Sequence, residues 1–255
     1  MQKIRIKKNN KKPLVCLTAY SKNTAKIIDK YCDIILVGDS LGMVLYGMKS
    51  TREVKIETMI LHAKAVKQAT TKSIVVFDMP YKTYTNKFLA YKNARHVIKL
   101  TKCDAIKLEG GKKVSNIIKY LVKKGIPVLA HIGLLPQTSI NYKVKGKSAD
   151  QKKKIYNDAL EISKSGAFAM IIECVVESLS KKITEDVKIP TIGIGASRHC
   201  DGQILVTDDL IGLSDFTSKF VKKYVNLNKI INKTVRKFSK DVKMKRFPTS
   251  KNVYK

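Results

Sequence analysis

Five short apolar runs in this 255-residue chain end on a side chain able to bind a cation or move a proton. Ile34-Ile35-Leu36-Val37 runs into Gly38, Asp39 and Ser40, and Val75-Val76-Phe77 ends at Asp78. Ala105-Ile106-Lys107-Leu108 ends at Glu109, Val128-Leu129-Ala130 at His131, and Ala169-Met170-Ile171-Ile172 at Glu173. Runs of this kind read as strands buried on both faces, as in a parallel sheet. A single polar residue in such a place is a strand meeting water and turning. Five of them need a common cause, and a rim shared by the strand ends supplies one.

Asp39, Asp78 and Glu109 would be neighbours on such a rim. Three carboxylates brought together repel unless a cation neutralises them. Oxygen donors without His or Cys favour a hard ion, and Mg²⁺ is the expected one; the alternative is three independent helix caps or lysine partners. Lys107 lies two residues before Glu109, hence on the same strand face. It would hold a substrate carboxylate, or simply pair with a neighbouring acid. His131 would orient a substrate oxygen, or be a satisfied structural residue. Glu173, one strand further on, would be a fourth metal ligand or, more usefully, a general base that its apolar neighbours Ile171, Ile172 and Cys174 would strengthen near neutrality. Gly193, Gly195 and Ala196 leave room for a ligand against the backbone. Taken together these groups point to metal-assisted proton abstraction next to the carbonyl of an α-keto acid.

The elements that must carry these residues alternate regularly. Apolar strands are expected at residues 14–17, 34–37, 73–78, 105–109, 127–131, 168–173, 190–194 and 203–206. Helices are expected at 18–30 (capped by Ser21 or Asn23), 56–70, 87–100, 114–124 (ended by Gly125), 155–164 (closed by Gly166) and 177–186. Residues 40–55 and 133–154 read as long loops, a length that is commonly functional. Strands alternating with helices imply parallel pairing with right-handed crossovers. Eight of them in about 250 residues fit an α/β fold, a single (β/α)₈ TIM barrel over residues 1–255; a doubly wound open sheet is the alternative. Residues 1–12 form a basic arm. From Phe216 to about 246 a C-terminal amphipathic helix is expected, with Phe220, Tyr224, Leu227, Ile231, Val235 and Phe238 on one face and lysines on the other. Its expected place is against the barrel or a sister subunit, ahead of a membrane surface.

The composition narrows the class further. With 44% hydrophobic residues the chain can build a core and is not disordered. The formal charge of +31 comes from 51 basic residues, of which only six are Arg, scattered along the whole chain. A nucleic-acid surface would concentrate charge and use Arg for bidentate contacts, so no specific nucleic-acid partner is expected. The field would still draw in anionic substrates. Five cysteines with no C-x-x-C pair suit reduced thiols rather than disulfides or zinc. The basic start lacks the apolar stretch of a secretory signal, and no run approaches the roughly 20 apolar residues that span a bilayer. A cytoplasmic protein is expected.

Several blocks are more specific than their composition. They are Val37-Gly38-Asp39-Ser40-Leu41-Gly42-Met43, Asp78-Met79-Pro80-Tyr81, Lys107-Leu108-Glu109-Gly110-Gly111, and His131-Ile132-Gly133-Leu134-Leu135-Pro136-Gln137. Ile172-Glu173-Cys174-Val175, Gly193-Ile194-Gly195-Ala196 and Asp201-Gly202-Gln203-Ile204-Leu205-Val206 follow. In this order, over roughly residues 14–225, they resemble the signature blocks of the ketopantoate hydroxymethyltransferase family. The resemblance implies transfer of a hydroxymethyl group from 5,10-methylenetetrahydrofolate to 3-methyl-2-oxobutanoate, giving 2-dehydropantoate on the way to pantothenate. By motif, Asp39, Asp78 and Glu109 are similar to the Mg²⁺-site residues, Asp39, Ser40, Asp78 and Lys107 to those that hold the keto acid, and Glu173 to the proton acceptor. It also implies a cytoplasmic barrel assembled as a homo-oligomer, typically a decamer.

The chain departs from the family pattern in loops. The block Asn141-Tyr142-Lys143-Val144-Lys145-Gly146-Lys147 lacks two leading glycines and an arginine, Glu53 stands where a proline is usual, Ser197 replaces a glycine, and Asp208 stands where a histidine is common. The metal and base positions are unchanged. Two other readings remain. One is a Mg²⁺-dependent barrel lyase or mutase of the phosphoenolpyruvate or isocitrate lyase type, which would add a cysteine after the fifth strand; none lies between His131 and Glu173. The other is a basic polyanion-binding protein on an inactive barrel, which would have lost the rim acids.

Overall fold

Alternation along eight strands decides what faces inward. The computed structural model describes residues 4, 6, 8, 12–139, 142–214 and 216–254, so most of the expected basic arm and the Ile140-Asn141 pair of the altered loop lie outside the described residues. Residues 1–206 and 207–255 form two compact units. In the first, β1 (Leu14–Thr18), β2 (Ile34–Val37), β3 (Ile74–Asp78), β4 (Ala105–Glu109), β5 (Val128–Gly133), β6 (Ala169–Glu173), β7 (Thr191–Ile194) and β8 (Gly202–Leu205) pair in parallel and in sequence order. They close into a barrel as β8 pairs with β1. The expected closed barrel, rather than an open sheet, is what forms.

Two apolar layers separate by residue parity. Ile34 and Leu36, Val76, Ala105, Leu129, Ala169 and Ile171, and Ile192 fill the barrel interior. Ile35, Val37, Val75, Phe77, Ile106, Leu108, Val128 and Ile172 join the second cluster with the helices. Continuing the inward parity upward gives Asp78 on β3, Lys107 and Glu109 on β4, His131 and Gly133 on β5, and Glu173 on β6. The register sets Asp78 beside Lys107, Glu109 beside His131, and Gly133 beside Glu173.

The crossovers of this unit are α1 (Lys22–Ile28), α2 (Leu41–Tyr46), α3 (Ile56–Gln68), α4 (Lys87–Thr101), α5 (Ser115–Lys123), α6 (Ala149–Lys164) and α7 (Glu177–Asp186). Ser21 caps α1 by accepting from the Thr24 N–H, as its type predicts, though α1 is shorter than residues 18–30. The expected loop over 40–55 contains α2 and a 3₁₀ turn at Thr51–Glu53. Two glycines hid this helix. Gly42 lies inside it because a Cβ there would come within 2.4 Å of Val54 Cγ2, and Gly47 ends it at φ 63°. Glu53, the departure from proline, accepts from the Ser50 N–H at 3.1 Å and completes a capping box. In 133–154 the helix begins earlier than expected, at Ala149, because the Ser148 side chain caps it.

The second unit contains α8 (Thr207–Leu210) and α9 (Leu227–Lys243). The C-terminal helix therefore starts later than Phe216. Asn226 accepts from the Lys229 N–H as its N-cap, while upstream the Tyr224 N–H is taken by the Leu210 carbonyl at 2.9 Å. Phe220 and Tyr224 thus lie outside the helix. Among the described residues no helix is long and apolar enough to cross a membrane.

Asp29, just past α1, ties the entry of β3 to the preceding crossover. Its carboxylate accepts from the backbone N–H groups of Thr71, Lys72 and Ser73, at 2.9, 3.1 and 2.8 Å. Burial pushes this carboxyl up, and the three N–H groups of Ser73, Thr71 and Lys72 outweigh it and hold it well below the usual carboxylate range. A folded-state value below the unfolded one of about 3.9 stabilises the fold above that pH, and the contribution is lost as pH falls further. Asp29→Asn is expected to lower the unfolding free energy at pH 7 by about 1–2 kcal/mol, the three N–H groups losing a charged acceptor. In urea titrations the gap to wild type should narrow below about pH 4; a gap that stays constant down to pH 2 would contradict this role.

Candidate functional site

Six ionisable side chains meet at the C-terminal mouth of the barrel. Asp39 follows β2 after Gly38, and its backbone N–H donates to Asp78 Oδ2 at 3.3 Å. Lys107 Nζ donates to both oxygens of Asp78, at 2.9 Å each, and to Glu109 Oε1 at 3.1 Å. His131 lies between two acids, with Nδ1 3.4 Å from Glu109 Oε1 and Nε2 3.3 Å from Glu173 Oε2. Both nitrogens are at ion-pair distance without good hydrogen-bond alignment. Charge therefore alternates from Asp78 through Lys107, Glu109 and His131 to Glu173. All but Glu173 are nearly sealed from solvent, and its side chain remains 17% exposed at the end of the series.

Burial opposes charge on every member, and the neighbours decide the outcome. Burial and then the Asp78 carboxylate push Asp39 well above the usual carboxylate range, with Lys107 offsetting only part of it. Burial also raises Asp78, against Lys107. Glu109, despite burial, is drawn down to about 2 by Lys107 and His131. Burial would lower Lys107, but Asp78, Glu109 and Asp39 hold it well above its ordinary value. Burial and Lys107 disfavour protonated His131, yet Glu109 and Glu173 raise it to about 9, so the ring is an imidazolium at neutral pH.

Four carboxylates, Asp39, Asp78, Glu109 and Glu173, thus face two cations, Lys107 and His131. Asp39 carries the largest unrelieved burden. A divalent cation beside Asp39 and Asp78 would balance this excess. Among the described residues no three His, Cys, Asp or Glu side chains converge tightly enough to cage an ion alone.

The expected charged residues meet at the barrel mouth, whereas Gly193, between the inward Ile192 and Ile194, faces outward, where a Cβ would meet Gln203 Oε1 at 2.9 Å and Cys200 Sγ at 3.2 Å rather than space for a ligand. Lys107 pairs with Asp78 and Glu109, which is one of its two expected roles. His131 is engaged by acids on both sides. Ser40 lies outside the charged series, half-buried, with Oγ 2.8 Å from the Tyr20 hydroxyl. Glu173 faces an imidazolium as well as apolar neighbours.

The close approach of β5 and β6 depends on Gly133, at φ 92°, where a Cβ would come within 2.4 Å of the Glu173 carbonyl. Cys174, immediately after Glu173, is itself left-handed at φ 49°. Its carbonyl accepts from Lys145 N–H at 2.7 Å, which ties the 142–147 loop to the residue after Glu173.

Gln137 is a site residue that residue type did not single out. Its side chain is buried and reaches Asp39, Met79 and Tyr84, while its main chain meets Glu109 and Arg52. It lies on an irregular loop with no periodicity to mark it, and the only signal was its place at the end of the His131–Gln137 block.

Residues 1–250 match the family described as ketopantoate hydroxymethyltransferase. The 3-methyl-2-oxobutanoate hydroxymethyltransferase of Pelagibacter ubique (strain HTCC1062) is 55% identical over 249 residues, covering 98% of this chain and 97% of that protein. The protein of the same name from Rhizobium etli is 48% identical, covering 96% and 91%. Among solved structures, a phosphoenolpyruvate phosphomutase from Streptomyces platensis has a TM-score of 0.63 at 10% identity, covering 92% of this chain and 84% of that one. A phosphonopyruvate hydrolase in complex with oxalate and Mg²⁺ has a TM-score of 0.60 at 11% identity, covering 94% and 88%. At such identities these two likenesses concern the fold alone.

Removing the cation between Asp78 and Glu109 leaves two buried acids facing each other. Lys107→Met is expected to cost the metal-free protein about 3–5 kcal/mol in urea unfolding. A loss under 1 kcal/mol would show that the acids do not depend on it.

Proposed function

The chain belongs to the ketopantoate hydroxymethyltransferase family, and on that premise we propose that it transfers a hydroxymethyl group from 5,10-methylenetetrahydrofolate to 3-methyl-2-oxobutanoate, giving 2-dehydropantoate. The observation that carries this reading is the alternating series of buried charges, with a carboxylate excess at Asp39 and Asp78 and a half-open Glu173 at its far end. An anionic keto acid needs a cation to enter such a place, and a base to be activated there.

Asp39 and Asp78 would hold Mg²⁺, with Glu109 close by, directly or through water. When bound, the ion supplies Lewis-acid stabilisation of negative charge on the keto oxygen. Glu173 takes the proton from C3 of the keto acid. The C3 electron pair then forms a bond to the one-carbon unit delivered by the folate, water supplies the hydroxyl oxygen, and tetrahydrofolate departs. His131, pinned between Glu109 and Glu173, holds the base carboxylate in place and offsets its charge. Lys107, donating to both oxygens of Asp78, offsets part of the cost of ionising it. Ser40, at the start of α2, is positioned for the carboxylate end of the substrate.

Assembly as a homo-oligomer, a decamer in the family pattern, and a cytoplasmic location belong to the same reading. The location is supported by five cysteines that all stand as free, buried thiols. The lyase and mutase barrels share the fold, but this chain lacks a cysteine between His131 and Glu173. The inactive-barrel alternative is opposed by the intact acids at the mouth.

The test follows the C3 proton of 3-methyl-2-oxobutanoate in deuterated water, with and without Mg²⁺. Wild type should exchange it in a Mg²⁺-dependent manner. Glu173→Gln should keep Mg²⁺-dependent binding and slow the exchange by about 100-fold or more; exchange at the wild-type rate would remove Glu173 from that role.

A further inference from the structure

Gln137 lies within a turn in the loop after β5, where the Thr138 and Ser139 N–H groups donate to the Leu135 carbonyl, and the residue is only 1% exposed. Nε2 donates to Asp39 Oδ2 at 2.8 Å and to the Met79 carbonyl at 3.0 Å. Oε1 accepts from the Tyr84 hydroxyl at 2.5 Å. These partners leave no choice of orientation. A backbone carbonyl and a carboxylate only accept, so both must face the amide nitrogen, and the tyrosine proton must go to the oxygen. Both amide protons of the carboxamide are thus directed at fixed acceptors, and the oxygen of Asp39 that it engages is Oδ2.

The backbone of the same residue is used as well. Its N–H donates to Glu109 Oε2 at 3.1 Å, and its carbonyl accepts from Arg52 Nε at 2.8 Å. Arg52 in turn lies over the Tyr81 ring, 5.6 Å from its centre. The Tyr84 hydroxyl also accepts from the Glu109 N–H at 3.3 Å. Two carboxylates from different strands, Asp39 after β2 and Glu109 on β4, are thus fixed by one residue that carries no charge.

We propose that Gln137 is a positioning residue for the cation site. It locks the Asp39 carboxylate in a single rotation and sets it against Glu109, so that one defined oxygen of Asp39 is presented to the ion. The inference rests on the metal reading given above. It adds that the geometry of the acids is set by the β5 loop, with Arg52 and Tyr84 bracing that loop from the segments after β2 and β3. Neutral donors behind metal-binding carboxylates fix ligand orientation, and their loss typically costs about 10–100-fold in metal affinity.

The experiment measures Mn²⁺ binding by paramagnetic relaxation of water protons on the full chain, without substrate, alongside urea unfolding. Gln137→Met keeps the side chain's length and removes its hydrogen bonds. Tyr84→Phe strips only the hydroxyl that orients the carboxamide. Gln137→Met is expected to weaken Mn²⁺ binding by about tenfold or more and Tyr84→Phe by less, with C3 proton exchange restored in both by raising the Mn²⁺ concentration. A purely structural role would lower the unfolding midpoint and leave Mn²⁺ affinity unchanged, and that result overturns the inference. If Gln137→Met does not fold, wild-type Mn²⁺ affinity in Tyr84→Phe overturns it instead. Failure of the wild-type protein to bind Mn²⁺ overturns the metal reading and this inference together, whereas equal binding by wild type and variants overturns this inference alone.

Discussion

Buried charge without enough counter-charge is the constraint on which the rest of this structure depends. Four acids share two cations at the barrel mouth, and water is largely excluded from all but one of them. Such a cluster costs several kcal/mol per unpaired ion, so nothing in it is there for stability alone. The hydrophobic interior below bears the cost, with Leu36, Val76, Leu129, Ile171 and Ile192 packed beneath the charged layer. The helices outside bury a second layer against the opposite face of the same strands. A closed barrel suits this division because every strand end reaches the same mouth while every strand middle stays dry.

Much of that arrangement is legible in the residues themselves. Period-2 alternation within a short apolar run settles which residues turn inward, so Lys107, Glu109, His131 and Glu173 follow from parity once the strands are recognised. The strand ends at Asp78, Glu109 and Glu173 coincide with those expected, because in each case an apolar run stops at a charge. The helix at Glu177–Asp186 also begins and ends where expected. The family blocks then assign roles that spacing leaves open.

The irregular segments were not legible, for reasons that differ from place to place. Gly42 sits inside α2 for close packing against Val54, and a glycine in that setting looks like a loop residue. Asn226 starts α9 where the apolar face had already been running for ten residues, since amphipathic spacing says nothing about where the hydrogen-bond ladder begins. Gln137 and Tyr84 act through contacts that join residues 98 and 53 positions apart. No local pattern carries such information. Lys107 shows a subtler limit: its face was predictable, but whether it meets a ligand or its own acids depends on side-chain packing.

The left-handed backbone at Cys174 has a consequence for how this sequence can drift. A residue at φ 49° tolerates glycine or asparagine readily and resists valine, isoleucine and threonine, whose branched Cβ collides with the adjoining peptide groups. The dihedral turns the chain sharply just after Glu173 and hands the Cys174 carbonyl to the incoming loop. A branched side chain at 174 would therefore be felt first in the main chain, in the path that leaves Glu173 and in the carbonyl that receives Lys145.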